Sequence, residues 1–135
     1  MATFNKFNPF TKAVGDKKHN LSSDTLVIAL SNTAPTSANA VLADITQISY
    51  TNLSSRTVTT TSFNTSSGTV KLILADLTLT ASGAVATFRY VVLYNSTATN
   101  SELIGWWDYG SAVTMANTET FLIDFDGTNG VLTIA

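Results

Sequence analysis

The sequence predicts an all-β fold: a single-domain antiparallel β-sandwich of jelly-roll type, with about eight strands and a short N-terminal helical segment. Three observations predict it. From Leu21 onward, apolar residues recur with a period of two between clusters of turn formers. Thr, Ser and Asn supply 48 of the 135 residues while charged residues supply only 12%, so the polar surface is neutral and built from residues that favour strands and turns. The hydrophobic share of 44% over a chain of modal domain length supports one core without disulfides, and there is no cysteine to form any. A helical bundle and a coiled coil are excluded on the same grounds. No run approaches the roughly 20 apolar residues of a membrane span, and no signal-peptide stretch opens the chain, which leads to the expectation of a soluble product made in the cytoplasm.

Residues 1–18 stand apart from residues 19–135. They carry Lys6, Lys12, Lys17 and Lys18 against Asp16, a local charge of +3, and the remainder carries −5. Phe4, Phe7, Phe10 and Val14 recur at spacings of three and four, as on one side of a helix. Asn8 before Pro9 reads as an N-cap with proline at the first helical position, and Gly15 as the stop, which predicts one or two turns over Pro9–Val14. Two uses for this basic, aromatic head remain open. The phenylalanines cover one end of the core, or they form a docking arm in which Phe4, Phe7, Phe10 and Lys12 meet a partner.

The strands follow in order. Thr25–Leu30 is the first, and after a loop containing Pro35, Asp44 is placed to cap a short helical turn through Ile45 and Ile48. Arg56–Phe63, dominated by threonine, reads as an edge strand, and Ser66-Ser67-Gly68 as its turn. Val70, Leu72 and Leu74 share one face, and Leu77 and Leu79 continue after a break at Asp76. Phe88, Tyr90, Val92 and Tyr94 alternate with Arg89, Val91 and Leu93, so both faces of this strand are largely apolar and it is expected at the centre of a sheet. Leu103–Tyr109, Thr120–Phe125 and Val131–Ile134 complete the set.

The chemistry of catalysis is missing from the pattern. One histidine, His19, lies in the lysine-rich entry segment directly after the head, no Gly-x-Ser-x-Gly elbow surrounds a serine, and no glycine loop leads into Lys-Ser/Thr. Glu102, Asp108, Glu119, Asp124 and Asp126 could supply a carboxylate pair, but their spacing selects none. Asp124–Gly130 begins like a calcium loop, yet Asn129 occupies the obligatory glycine position and Ala135 the terminal acid, so Asp126-Gly127 and Asn129-Gly130 read as hairpin turns. No enzyme activity, cofactor or metal is expected. An acidic body with a four-lysine head argues against nucleic-acid binding.

In an extended strand Trp106 and Trp107 must face opposite ways. Trp107 with Leu103 and Tyr109 forms the better core face, which leaves Trp106 and Ile104 as interface candidates, with sugar stacking on Trp106 as the sharper alternative to a subunit contact. Arg89 is expected to pair with a carboxylate across sheets or subunits.

The segments Ser23-Asp24-Thr25-Leu26, Leu30–Pro35, Ala43–Thr46, Phe88-Arg89-Tyr90, Val92–Asn95, Leu103–Gly110 and Asn129–Leu132 resemble small virion proteins encoded by tailed bacteriophages, across nearly the whole chain. The resemblance implies a jelly-roll capsid decoration (cement) protein, or a head-fibre base, bound outside an icosahedral shell and made in a host bacterium. Its partners would be the major capsid protein and further copies of itself, as a homotrimer or else a homodimer. A carbohydrate- or receptor-binding module of a tail or head fibre, using Trp106, Tyr109 or Tyr94, is the alternative.

Overall fold

A computed structural model describes residues 2–135. Its period-two segments form strands and its head forms a helix, in the order β1 (Asn5–Lys6), α1 (Asn8–Gly15), β2 (Leu26–Ser31), a 3-10 turn (Leu42–Asp44), β3 (Thr57–Val58), β4 (Thr60–Ser66), β5 (Thr69–Leu74), β6 (Leu77–Thr80), β7 (Val85–Asn95), β8 (Leu103–Met115), β9 (Thr120–Ile123) and β10 (Leu132–Ile134). The expected eight strands become ten among the described residues, because the head contributes β1 and the Thr-rich strand divides. All pairings are antiparallel. The sheets are of five, three and two strands, ordered β1-β8-β7-β2-β3, β10-β5-β4 and β6-β9.

The sheets meet face to face over one main core, which makes the fold a β-sandwich. Leu26, Ile28, Phe88, Val91 and Ile104 enter it from the five-stranded sheet, Leu72, Leu74 and Leu132 from the three-stranded sheet, and Leu79 and Ile123 from the ribbon. The opposite face of the five-stranded sheet carries a second, smaller core of Phe7, Ala29, Ile45, Val92, Tyr94 and Leu103. With apolar residues on both faces, β7 sits centrally between β2 and β8, as its sequence predicts.

Alternation fixes faces only while the register holds, and here it slips. Leu93 opposes Gly105 but Tyr94 opposes Leu103, so Ile104 is an extra residue in β8 and turns into the main core. A second slip separates the pairs Phe88↔Val113 and Tyr90↔Asp108, leaving Tyr109–Ala112 bulged out of β8 opposite Arg89 alone. Phe88 consequently packs with Val91 and Leu93, not with Val92 and Tyr94 as strict alternation requires.

Other local expectations shift for identifiable reasons. The expected strand Arg56–Phe63 breaks at Thr59, where the chain passes from the five-stranded to the three-stranded sheet; both resulting strands are edges. Beyond its short pairing with β3, the outer side of β2 is closed by Arg56, which donates to the Ile28 carbonyl, and by the Tyr50 hydroxyl, which accepts from the Leu30 amide at 3.0 Å. The Ser67-Gly68 loop has positive φ at both positions, 51° and 79°, the geometry of a two-residue type I′ hairpin turn. Asp44 ends its helical turn instead of starting it, with its carboxylate accepting from the Ala40 and Val41 amides, which holds its pKa below the usual carboxylate range. Between β9 and β10 the Asp126–Gly130 segment is a crossover and not a hairpin, since β9 pairs with β6 and β10 with β5.

The head is built into this fold. Phe7, in extended conformation, precedes α1 in place of the expected cap Asn8, and Pro9 lies in the first turn. Gly15 is not the left-handed stop either. Lys17 is, at φ 63°, with Lys18 N–H donating to Ala13 and Lys17 N–H to Val14, the double closure of a Schellman end.

Candidate functional site

The N-terminal segment wraps the edge of β8 and covers both tryptophans. Asn5 opposes Trp106 and Lys6 opposes Gly105. Gly105 allows the approach: a Cβ there would collide with the Phe4 ring and lie 2.7 Å from the Asn5 carbonyl oxygen. Phe4 stacks at 5.2 Å on Trp107 and Phe7 at 4.5 Å on Trp106, on opposite faces of the sheet. Phe7 is fully buried and Phe10 nearly so. Of the two uses open for the phenylalanines, the structure has them packing against this chain's own cores. Phe7, Phe10 and the bulged Ile104 are thereby removed from the exposed surface, and Trp106 is half-covered by Phe7. Lys12 remains exposed and bonds Asp16 one helical turn on.

An open apolar surface lies at the other end of the Trp107 face. Trp107 and Tyr109 of β8 and Phe121, Leu122 and Phe125 on and after β9 line a groove of about 320 Å3, with Asp124 contributing a carboxylate. Phe121 holds Tyr109 edge-on at 5.2 Å. Among the described residues Tyr109 and Leu122, 53% and 57% exposed, are the most exposed large apolar side chains, and β9 is paired only on its β6 side. The expected strand Thr120–Phe125 contained Phe121 and Leu122 but did not single them out, because Phe121-Leu122-Ile123 is apolar at three successive positions and shows no alternation to separate its faces.

Arg89 reaches Asp108 on the neighbouring strand through two bonds of 2.8 and 3.0 Å, within one sheet and one chain. The guanidinium holds the Asp108 carboxyl below its ordinary range, and the pair sits at the solvent surface beside the β8 bulge, where Asp108 also accepts from the Gly110 amide.

A buried polar cluster forms where the head joins the body. Asn95, fully buried at the end of β7, accepts the Thr97 and Ala98 amides on Oδ1 and directs Nδ2 at both Asp24 Oδ2 (2.6 Å) and His19 Nδ1 (3.1 Å). The His19 ring packs 5.0 Å from Phe10. Burial lowers the His19 pKa, against the opposing pull of Glu102 and Asp24. His19 Nε2 and Glu102 Oε2 are buried without hydrogen-bond partners. Asn95 was invisible in the sequence as anything but a turn former at a strand end.

The remaining acids are separately employed. Glu119 accepts from the Ala116 amide, and Asp126 accepts from the Thr128 and Asn129 amides, which lowers its pKa and makes the segment a turn. Among the described residues no three His, Cys, Asp or Glu side chains gather as a metal site. The three aromatics considered for sugar stacking do not form one platform: Tyr94 is buried in the second core, Trp106 lies under Phe7, and only Tyr109 is exposed. No family model, curated protein or solved structure matches this chain.

Proposed function

We propose that the protein is a structural component of a tailed-bacteriophage virion, a decoration protein that binds the outer capsid surface and bridges neighbouring major capsid subunits as a homotrimer. The resemblance of its strand segments to such virion proteins supplies the class. The structural observation that carries the reading is the Tyr109–Leu122 ledge: two large apolar side chains more than half exposed, beside an apolar groove and an unpaired strand edge. Such a surface suits protein contact, through side-chain burial and strand addition together. The major capsid subunit is its occupant, and the surrounding Thr-, Ser- and Asn-rich surface keeps the free protein from aggregating through other faces.

The test is binding to purified capsids that lack decoration, read by co-sedimentation and by imaging of the decorated particle. Saturable binding on the capsid exterior, abolished by Leu122→Asp at unchanged melting temperature, is the expected result. Density on tail or head fibres instead, or binding to glycans that Leu122→Asp abolishes, would replace this reading with the receptor-binding one.

A further inference from the structure

The hydrogen bond between Asn95 Nδ2 and His19 Nδ1 can form in only one protonation state of that ring nitrogen. Asn95 Oδ1 already accepts two backbone amides, so its amide cannot turn over without stranding both. Its Nδ2 therefore presents two hydrogens, one to Asp24 and one to His19 Nδ1. Nδ1 must offer a lone pair to receive that hydrogen. The neutral ring then carries its proton on Nε2, and a second proton could be placed only on Nδ1, against a nitrogen that is itself a donor.

We propose that the His19–Asn95 contact is an acid-operated latch that fastens the N-terminal segment, residues 2–18, to the β-sandwich. It is closed while the ring is neutral, and it opens when Nδ1 is protonated. The contact sits where opening matters: His19 follows α1 directly, and its ring packs on Phe10, the anchor of α1 in the main core. The charged groups around it are Asp24 from the loop before β2 and Glu102 immediately before β8, while Asn95 of β7 and Phe10 of α1 are neutral. Asp16, Lys17 and Lys18 line the polar cleft on the Asp24 side. The two carboxylates favour the imidazolium, but burial outweighs them, so the neutral ring is the form the closed fold stabilises. With the folded value below the ordinary histidine value of about 6.5, the latch contributes fully above that pH and is lost as pH falls through the folded value.

The experiment is amide hydrogen exchange on the full chain at pH 7.5 and 5.0, corrected for intrinsic exchange, together with 15N NMR of the imidazole. In the wild type, exchange over residues 5–18 is expected to accelerate about tenfold or more at pH 5.0, while β2 and β7 stay protected. His19→Asn, which keeps an acceptor at the Nδ1 position but does not titrate, is expected to remove that acceleration. The 15N shifts are expected to report the Nε2–H tautomer at pH 7.5, a readout that needs no variant to fold. An Nδ1–H tautomer, pH-independent exchange in the wild type, or an unchanged acceleration in His19→Asn would each overturn the latch.

Discussion

Replacing Phe7 by alanine tests whether the head belongs to the fold or merely hangs from it. Phe7 has no exposed surface, its ring lies 4.5 Å from that of Trp106, and it closes the second core over Ala29, Val92 and Leu103. Truncating a fully buried phenylalanine costs about 3–5 kcal/mol, from lost transfer energy and the cavity left behind. Against a total stability of about 5–15 kcal/mol for a domain, that is a large fraction. At roughly 3–5 °C per kcal/mol for a chain of this length, the melting temperature should fall by about 10–20 °C. Thermal and urea denaturation followed by circular dichroism and tryptophan fluorescence measure it, with Lys12→Ala, on an 83% exposed side chain, as the control expected to melt like the wild type. Deleting residues 2–17 should go further and yield an unfolded or aggregating chain, because it strips Phe4, Phe7 and Phe10 from their cores and bares the β8 edge. A soluble deletion product melting near the wild-type temperature, or a Phe7→Ala shift below about 3 °C, would refute the packing argument and restore the docking arm.

Gly105→Ala should displace β1, since the added methyl meets both the Phe4 ring and the Asn5 carbonyl; faster exchange of the β1 amides with β2 unaffected is the expected signature. Tyr50→Phe removes the acceptor of the Leu30 amide on the closed side of β2 and should cost about 1–3 kcal/mol in urea denaturation. Trp106→Ala and Trp107→Ala should both lower the denaturation midpoint, because each indole is half-buried against a phenylalanine on its own face; a midpoint unchanged for Trp106→Ala would show that Phe7 does not depend on it. Gly130→Ala, at φ 82° with a Cβ 2.8 Å from the Leu72 carbonyl oxygen, should destabilise the approach of β10 to β5, seen as a lower melting temperature.

The sequence by itself determined that this chain is a single antiparallel β-sandwich, that β7 is central, that the Thr-rich stretch lies at edges, and where the Ser67-Gly68 hairpin turns. These follow from local physics: a period of two, apolar residues on both faces, and left-handed turn positions are properties of neighbours in the chain. What the tertiary structure decided is which face each aromatic serves. One inserted residue at Ile104 and a bulge over Tyr109–Ala112 reverse the phase of β8, sending Ile104 inward and separating Trp107 from Leu103, and no composition or spacing marks those slips, because they arise from how β8 fits β7. The head shows the same limit. Three phenylalanines and four lysines specify a segment that must bury aromatic surface, and whether it does so on another molecule or on its own chain depends on a complementary edge. Here that edge exists, a glycine at 105 beside two tryptophans, about a hundred residues away along the chain and therefore readable only once the chain has folded.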